Sequence, residues 1–340
     1  MKGFYTNKKI LITGGTGTIG QALVRQLLLD NPSVIRIFSR DEYKQFEMQQ
    51  SLSEYAGSLR YLIGDVRDAD RVSRAMEGID IVFHLAGMKH VPACEYNPFE
   101  AVQTNVIGTQ NIIQAALRAG VEKVLFTSTD KAVSPANTYG ATKLTAERLI
   151  SAAGYQKGSK STIFASVRFG NVMGSRGSVI PLFKTQILER GKISVTDMQM
   201  TRFMMTPLQA ISLMLEANEI SKGGEVFVLK MPLVKLSDLV EVIIEEVTSR
   251  HQLMGEVRVD EIGLRRGEKM DEELMTTDER HKMLEKDYMY IIPPIYTGSK
   301  LIYEASKYNS VHGNDDIGYR SNEVIGKEKL RQWLINEELL

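Results

Sequence analysis

The sequence predicts an α/β fold: a doubly wound parallel sheet with a smaller C-terminal α/β substrate lobe. Three observations predict it. Short, β-branched, nearly continuous apolar runs recur through the first half, as strands buried on both faces require. Amphipathic helical stripes separate them. A glycine-rich turn sits between the first strand and the first helix.

The strands are read as Lys9–Thr13, Val34–Phe38, Leu59–Ile63, Ile79–His84 and Lys123–Ser128. Between them, Thr18–Leu29 carries Ile19, Leu23 and Leu27 at i, i+4 and i+8, and Phe99–Ala119 carries Val102, Val106, Ile113 and Ala116 on a similar stripe. Five strand–helix units of this kind wind right-handed into one sheet. Thr162–Arg168 and Glu225–Leu229 read as further strands. The expected division is a dinucleotide-binding domain over 1–168 with a return segment at about 205–234. A substrate lobe covers 169–204 and 235–292, and a C-terminal extension covers 293–340.

Composition narrows the function. The 340 residues hold 42 Lys+Arg and 42 Asp+Glu, so the formal charge is zero and no net attraction draws the chain to nucleic acid or an anionic membrane. The single cysteine, Cys94, excludes an internal disulfide and any cysteine-based zinc site, and no metal is expected. No apolar run reaches the ~18 residues that span a bilayer. Met1–Lys9 is polar and leads into a strand, unlike a signal peptide, so the expected location is the cytoplasm.

Thr13-Gly14-Gly15-Thr16-Gly17-Thr18-Ile19-Gly20 joins the first strand to the first helix. Glycines at 14, 17 and 20 allow a tight turn, close backbone approach to a pyrophosphate and close helix–strand packing. The helix N-terminus adds amide donors and the positive dipole end. The domain therefore reads as Rossmann-like, with Thr13, Gly14, Gly17, Thr18, Ile19 and Gly20 holding a dinucleotide. After the second strand stand Ser39, Arg40 and Asp41, with Lys44 one turn on. A guanidinium fits a 2′-phosphate, so NADP is expected; Asp41 leaves NAD open. Asp65 and Val66 sit where adenine would be gripped, and Ala86 follows the fourth strand toward the cofactor.

Ser128-Thr129-Asp130-Lys131-Ala132 follows the fifth strand, and Tyr139-Gly140-Ala141-Thr142-Lys143 opens the next helix. Tyr139 and Lys143 are four apart and share a helix face. An ammonium beside a phenol lowers its pKa, so Tyr139 can take a proton from a hydroxyl while hydride leaves the same carbon.

The Gly14–Gly20 loop and Tyr139-x-x-x-Lys143 resemble the extended short-chain dehydrogenase/reductase superfamily. Further stretches tighten the likeness: Gly87-Met88-Lys89-His90-Val91-Pro92, Arg168-Phe169-Gly170-Asn171-Val172, Gly174-Ser175-Arg176-Gly177-Ser178-Val179, Met200-Thr201-Arg202-Phe203 and Arg265-Arg266-Gly267-Glu268-Lys269. Together they resemble the soluble inverting UDP-N-acetylglucosamine 4,6-dehydratases of the pseudaminic acid pathway, over about residues 8–292. The family pattern has proline where Arg266 stands.

That resemblance implies a substrate, UDP-N-acetylglucosamine, and a division of labour. Tyr139, poised by Lys143, takes the 4-hydroxyl proton. Lys131, if neutral, removes the C5 hydrogen acidified by the new ketone, and Asp130 protonates the departing 6-hydroxyl. Burial shifts both groups in the needed direction, and an Asp–Lys ion pair opposes it. Lys89, Arg202 and Arg265 are expected to neutralise phosphate, Asn171 to bind a phosphate or sugar oxygen, Glu268 a ribose hydroxyl, and Val179 to line the substrate site. A homo-oligomer is expected from the resemblance alone. Release of the 5,6-ene intermediate, a UDP-HexNAc 4-epimerase and a non-catalytic NADP-sensing protein remain as alternatives.

Overall fold

The computed structural model describes residues 3–294, 309–310 and 324–340. The first strand, β1 (Lys9–Thr13), buries all of Ile10–Thr13, so both its faces are covered, as a central parallel strand needs. On one side lie β2 (Val34–Ser39) and β3 (Leu59–Ile63). On the other lie β4 (Ile81–His84), β5 (Lys123–Thr129), β6 (Ile163–Phe169) and β10 (Val226–Leu229), all parallel. The order 3-2-1-4-5-6-10 reverses direction between β1 and β4, which opens a crevice beyond their carboxyl ends. The α/β, doubly wound architecture expected from the sequence is the one the chain adopts.

Helices cover both faces: α1 (Thr18–Leu28), α2 (Glu42–Ser51), α3 (Ala69–Met76), α4 (Val91–Tyr96), α5 (Pro98–Ala101), α6 (Gly108–Ala119) and α7 (Thr138–Gln156). Side-chain caps start three of them, because the first-turn amides have no partner within the helix. Asp41 accepts the Lys44 amide, Asp68 the Arg71 amide and Asn137 the Gly140 amide. The single helix expected over Phe99–Ala119 is instead α5, a run of wider π-turns over Val102–Ile107, and α6. Those turns face Asn105 inward. Its amide nitrogen donates to Met88 O and Thr142 Oγ1 (both 3.0 Å), and its Oδ1 accepts the Met88 amide at 2.8 Å.

The smaller lobe combines β7 (Asn171–Val172), β9 (Thr201–Met205) and β11 (Leu233–Lys235) in one sheet, and β8 (Lys192–Val195) with β12 (Arg258–Glu261) in another. Helices α8 (Val179–Arg190) and α10 (Leu236–Arg250) bury Phe183, Ile187, Leu239, Ile243 and Val247 between them. The C-terminal helix Lys327–Asn336 adds Leu330 and Leu334 to that core and sets Arg331 on Glu245 and Glu246 at 2.5 and 3.0 Å. Helix α9 (Pro207–Ile220) returns to the main sheet.

Residues 284–292, read from sequence as part of the substrate lobe, extend the main sheet instead. There β14 (Met289–Ile292) pairs antiparallel with β10, and β13 (Leu284–Lys286) pairs with β14 and with β15 (Asn309–Ser310). All four residues of β14 are buried, the pattern of an interior strand. Most of the remaining extension lies outside the described residues. Among the described residues no helix is long and apolar enough to cross a membrane.

A buried ion cluster joins the segment after β12 to the sheet. Arg168, on β6 and 1% exposed, bonds Glu147 of α7 at 2.7 Å, Glu279 of α11 (Thr277–Lys282) at 3.0 Å and Leu274 O at 2.8 Å. Burial alone would lower the Arg168 pKa, but the two carboxylates outweigh it and hold the guanidinium above its ordinary value.

Candidate active site

The glycine loop is shaped by steric need. Gly14 has φ +70°, and a Cβ there would stand 2.8 Å from the Ala86 amide nitrogen. At Gly20 a Cβ would reach 2.5 Å from the Gly15 carbonyl oxygen, so α1 packs against the loop only without a side chain. Gly17 caps α1 without a side-chain bond, and no acidic residue occupies the first turn. The first-turn amides and the dipole therefore face an anion in the crevice.

The crevice is a cleft of about 860 Å³. Gly14, Gly17, Thr18, Ile19, Gly20, Ser39, Arg40, Lys44, Asp65, Val66, Ala86, Tyr139 and Lys143 all line it. Thr13 stands behind the wall, its Oγ1 2.7 Å from His84 Nδ1 and accepting the Ala86 amide at 3.3 Å. His84 completes that support through Thr109 Oγ1 at 3.1 Å, and burial together with the nearby Lys143 charge pushes it down to about 3. It is a neutral structural ring.

At the adenosine end, Asp41 is already engaged. It accepts the Lys44 amide at 3.0 Å and the Lys44 ammonium at 2.5 Å, and these bonds hold its carboxyl below the usual range. Burial pushes Asp65 up, but bonds from Arg67 outweigh that and leave it low; Arg40 stands 3.6 Å away. The cleft thus offers open amides for a diphosphate and two cations, the exposed Arg40 and the half-buried Lys44, for the far end of a dinucleotide. The residues present fit such a cofactor.

Deeper in, Tyr139 occupies the first turn of α7 and is 8% exposed. Burial pushes its phenol up to about 12, against the pull of a Thr129 hydrogen bond and the Lys131 charge. Lys143 donates to Thr127 O at 2.7 Å and lies 4.3 Å from the centre of the Phe126 ring; burial brings it down to about 7. Lys131 is thus a second cation that draws the phenol down, beside the Lys143 that the spacing argument expected.

Lys131 is held by three oxygens: Asp130 Oδ1 at 3.1 Å, Glu272 Oε1 at 3.4 Å and Asn171 Oδ1 at 3.4 Å. Burial lowers its pKa, but Asp130 and Glu272 together outweigh burial and keep it above the ordinary value. The ion pair has won over desolvation, and Lys131 rests as an ammonium rather than the neutral amine the sequence reading required of it. Asp130 is fully buried behind the cleft wall, and its Oδ2 has no partner among the described residues. Burial pushes the Glu272 carboxyl toward its neutral form.

Of the residues expected at the substrate, Lys89, Asn171 and Val179 line the cleft. Arg202 does not. Its guanidinium donates to Thr201 O, Met270 O and Lys269 O at 2.7–2.9 Å, tying the 269–270 segment to β9. Arg265 is exposed and stands 4.0 Å from Glu268, and neither lines the cleft. The same segment reaches the turn between β5 and α7 elsewhere: Lys269 donates to Val133 O at 2.9 Å, and Asn137 donates to Gly267 O at 2.8 Å. Sequence reasoning missed Glu272, which is brought to Lys131 across the lobes, and Asn105, whose only signal was a polar residue within an apolar helical stripe.

The sequence profile of the family described as "Polysaccharide biosynthesis protein" matches residues 10–294. The chain belongs to this family. A Campylobacter jejuni member named UDP-N-acetylglucosamine 4,6-dehydratase (inverting) is 40% identical over 99% of this chain and 97% of its own. A Rickettsia rickettsii protein named UDP-glucose 4-epimerase is 40% identical over 85% of this chain and 84% of its own. The X-ray structure of Pen from Bacillus thuringiensis superposes with a TM-score of 0.91 at 53% identity, covering 99% of both chains. The likeness read from the motifs is borne out by these relatives.

Proposed function

We propose that the chain is an NADP-dependent UDP-N-acetylglucosamine 4,6-dehydratase that inverts C5, yielding a UDP-4-keto-6-deoxy-HexNAc. The observation that carries this reading is the Asp130–Lys131–Glu272 cluster beside Tyr139. Moving hydride at C4 needs one acid–base group, the phenol. Removing water across C5 and C6 needs two more, and the cluster supplies an ammonium with two carboxylates. An epimerase has no use for them. The name borne by the Campylobacter relative agrees with this reading.

A bound nicotinamide dinucleotide supplies the hydride acceptor at C4 and the hydride donor at C6. Tyr139 takes the 4-hydroxyl proton as a phenolate, its own proton having first left to solvent in the cleft, and Lys131 and Thr129 lower the cost of that anion. The ketone at C4 then acidifies the C5 hydrogen. Lys131 becomes the base once its proton has moved to a neighbouring carboxylate; Asp130 and Glu272 are both in reach. Lys131, the member of the cluster that lines the cleft, passes the proton it has gained to the departing 6-hydroxyl and is recharged by the carboxyl so formed, and water leaves. Asn171 steadies the amine through Oδ1. NADP is favoured over NAD because Asp41, the acid that would bind a free ribose, is bonded to Lys44, while Arg40 stays exposed.

Incubating the protein with UDP-N-acetylglucosamine in deuterated water and following it by NMR tests the reading. A C6 methyl with deuterium at an inverted C5 is expected. An exocyclic alkene means the path stops before hydride return. Formation of UDP-N-acetylgalactosamine or an unchanged sugar overturns the dehydratase assignment.

A further inference from the structure

The loop following β7 crosses the mouth of the cleft. Gly174 and Gly177 have φ of +66° and +73°, and a Cβ on Gly177 would come 2.8 Å from the His90 ring, so the loop hugs the opposite wall. Arg176 at its tip touches both walls. Its Nη2 donates to Thr16 O at 2.5 Å, its amide donates to Thr18 Oγ1 at 3.3 Å, and its carbonyl accepts from Lys89 Nζ at 3.1 Å.

Two cations therefore converge on the cleft; among the described residues neither has a carboxylate within ion-pair distance, and Asp41 lies only near enough to feel the Arg176 charge. Burial and then the Arg176 charge push Lys89 below its ordinary value, so the pair sits together at an electrostatic cost. Unpaired like charges lining one cleft are the arrangement an anion relieves. Thr16 and Thr18 belong to the glycine loop, where the amides already favour a diphosphate.

We propose that Arg176 is a binding residue for the diphosphate of the nicotinamide dinucleotide, clasping it against the glycine loop from the far side of the cleft. The inference rests on the cofactor reading above. Binding exchanges a bond to a neutral carbonyl for charge-assisted, bidentate bonds to phosphate. The clasp also suits a reaction without net redox change, in which the dinucleotide stays through each cycle.

The test compares the full-length protein with Arg176→Gln and Arg176→Lys, measuring NADPH affinity by fluorescence and UDP affinity by calorimetry. Arg176→Gln is expected to weaken NADPH by about 10- to 100-fold, the loss of a charged hydrogen bond, and leave UDP unchanged. Arg176→Lys is expected to fall between it and the unaltered chain. A loss for NADPH below about tenfold in Arg176→Gln, or a loss that falls on UDP instead, overturns the proposal. Failure of the unaltered protein to bind NADPH overturns the cofactor reading and this clasp with it.

Discussion

Single residues in this site act through the charges they keep. Lys131 rests above its ordinary pKa because Asp130 and Glu272 outweigh burial. Replacing one carboxylate, as in Glu272→Gln, removes part of that hold, so the Lys131 pKa falls. The alkaline limb of the kcat–pH profile is expected to move to lower pH, and an unmoved limb would mean that Lys131 does not titrate in turnover. His84 acts on stability instead. Its pKa drops from 6.5 to about 3 on folding. Across that interval the unfolded chain binds a proton that the folded chain does not. Stability is thus full above pH 6.5 and is lost on acidification, with a slope of about 1.4 kcal/mol per pH unit. His84→Asn is expected to flatten that acid limb in denaturant titrations at several pH values. Tyr139 and Lys143 could be singled out because helical spacing puts them on one face, and the Asp130–Lys131 pair because the family resemblance marks it. Glu272 could not, since only the folded chain brings it to residue 131.

At the scale of elements, the loop between β1 and α1 is held to glycine by contact distances. Gly20→Ala would set a methyl 2.5 Å from the Gly15 carbonyl oxygen. The loop or helix must shift, at about 1–3 kcal/mol, typical of overpacking. Urea denaturation should show the loss, and NADPH affinity should fall with it. The central strands were readable for a plain reason: a parallel strand covered on both faces shows as an unbroken apolar run, as Ile10–Ile12 does. Leu284–Ile292 was placed in the wrong layer because a hairpin's own pattern does not say which sheet edge it joins. The π-turns at Val102–Ile107 left no mark in the periodicity, since the apolar stripe continues on either side.

For the whole molecule, the buried Arg168 cluster fixes how β6 and α7 meet the chain beyond β12. Arg168→Met would leave Glu147 buried without its ion-pair partner and Glu279 with Arg148 alone at 3.8 Å, at a cost of about 3–5 kcal/mol. Hydrogen exchange over residues 272–282 is expected to quicken more than exchange in β1–β5. Uniform quickening would show a general loss of stability instead of a released segment. Neutral overall charge could not reveal this cluster, because a sum over the chain does not say which charges meet in the core. Asn105 ties a second pair of distant parts: its one amide group serves the Met88 backbone in the wall after β4 and Thr142 in the helix of Tyr139. Anyone grafting a foreign segment over residues 87–92, to alter what the enzyme accepts, must therefore carry a matching residue at 105. Without it the transplanted wall would lose its anchor and the helix a neighbour in the same cut.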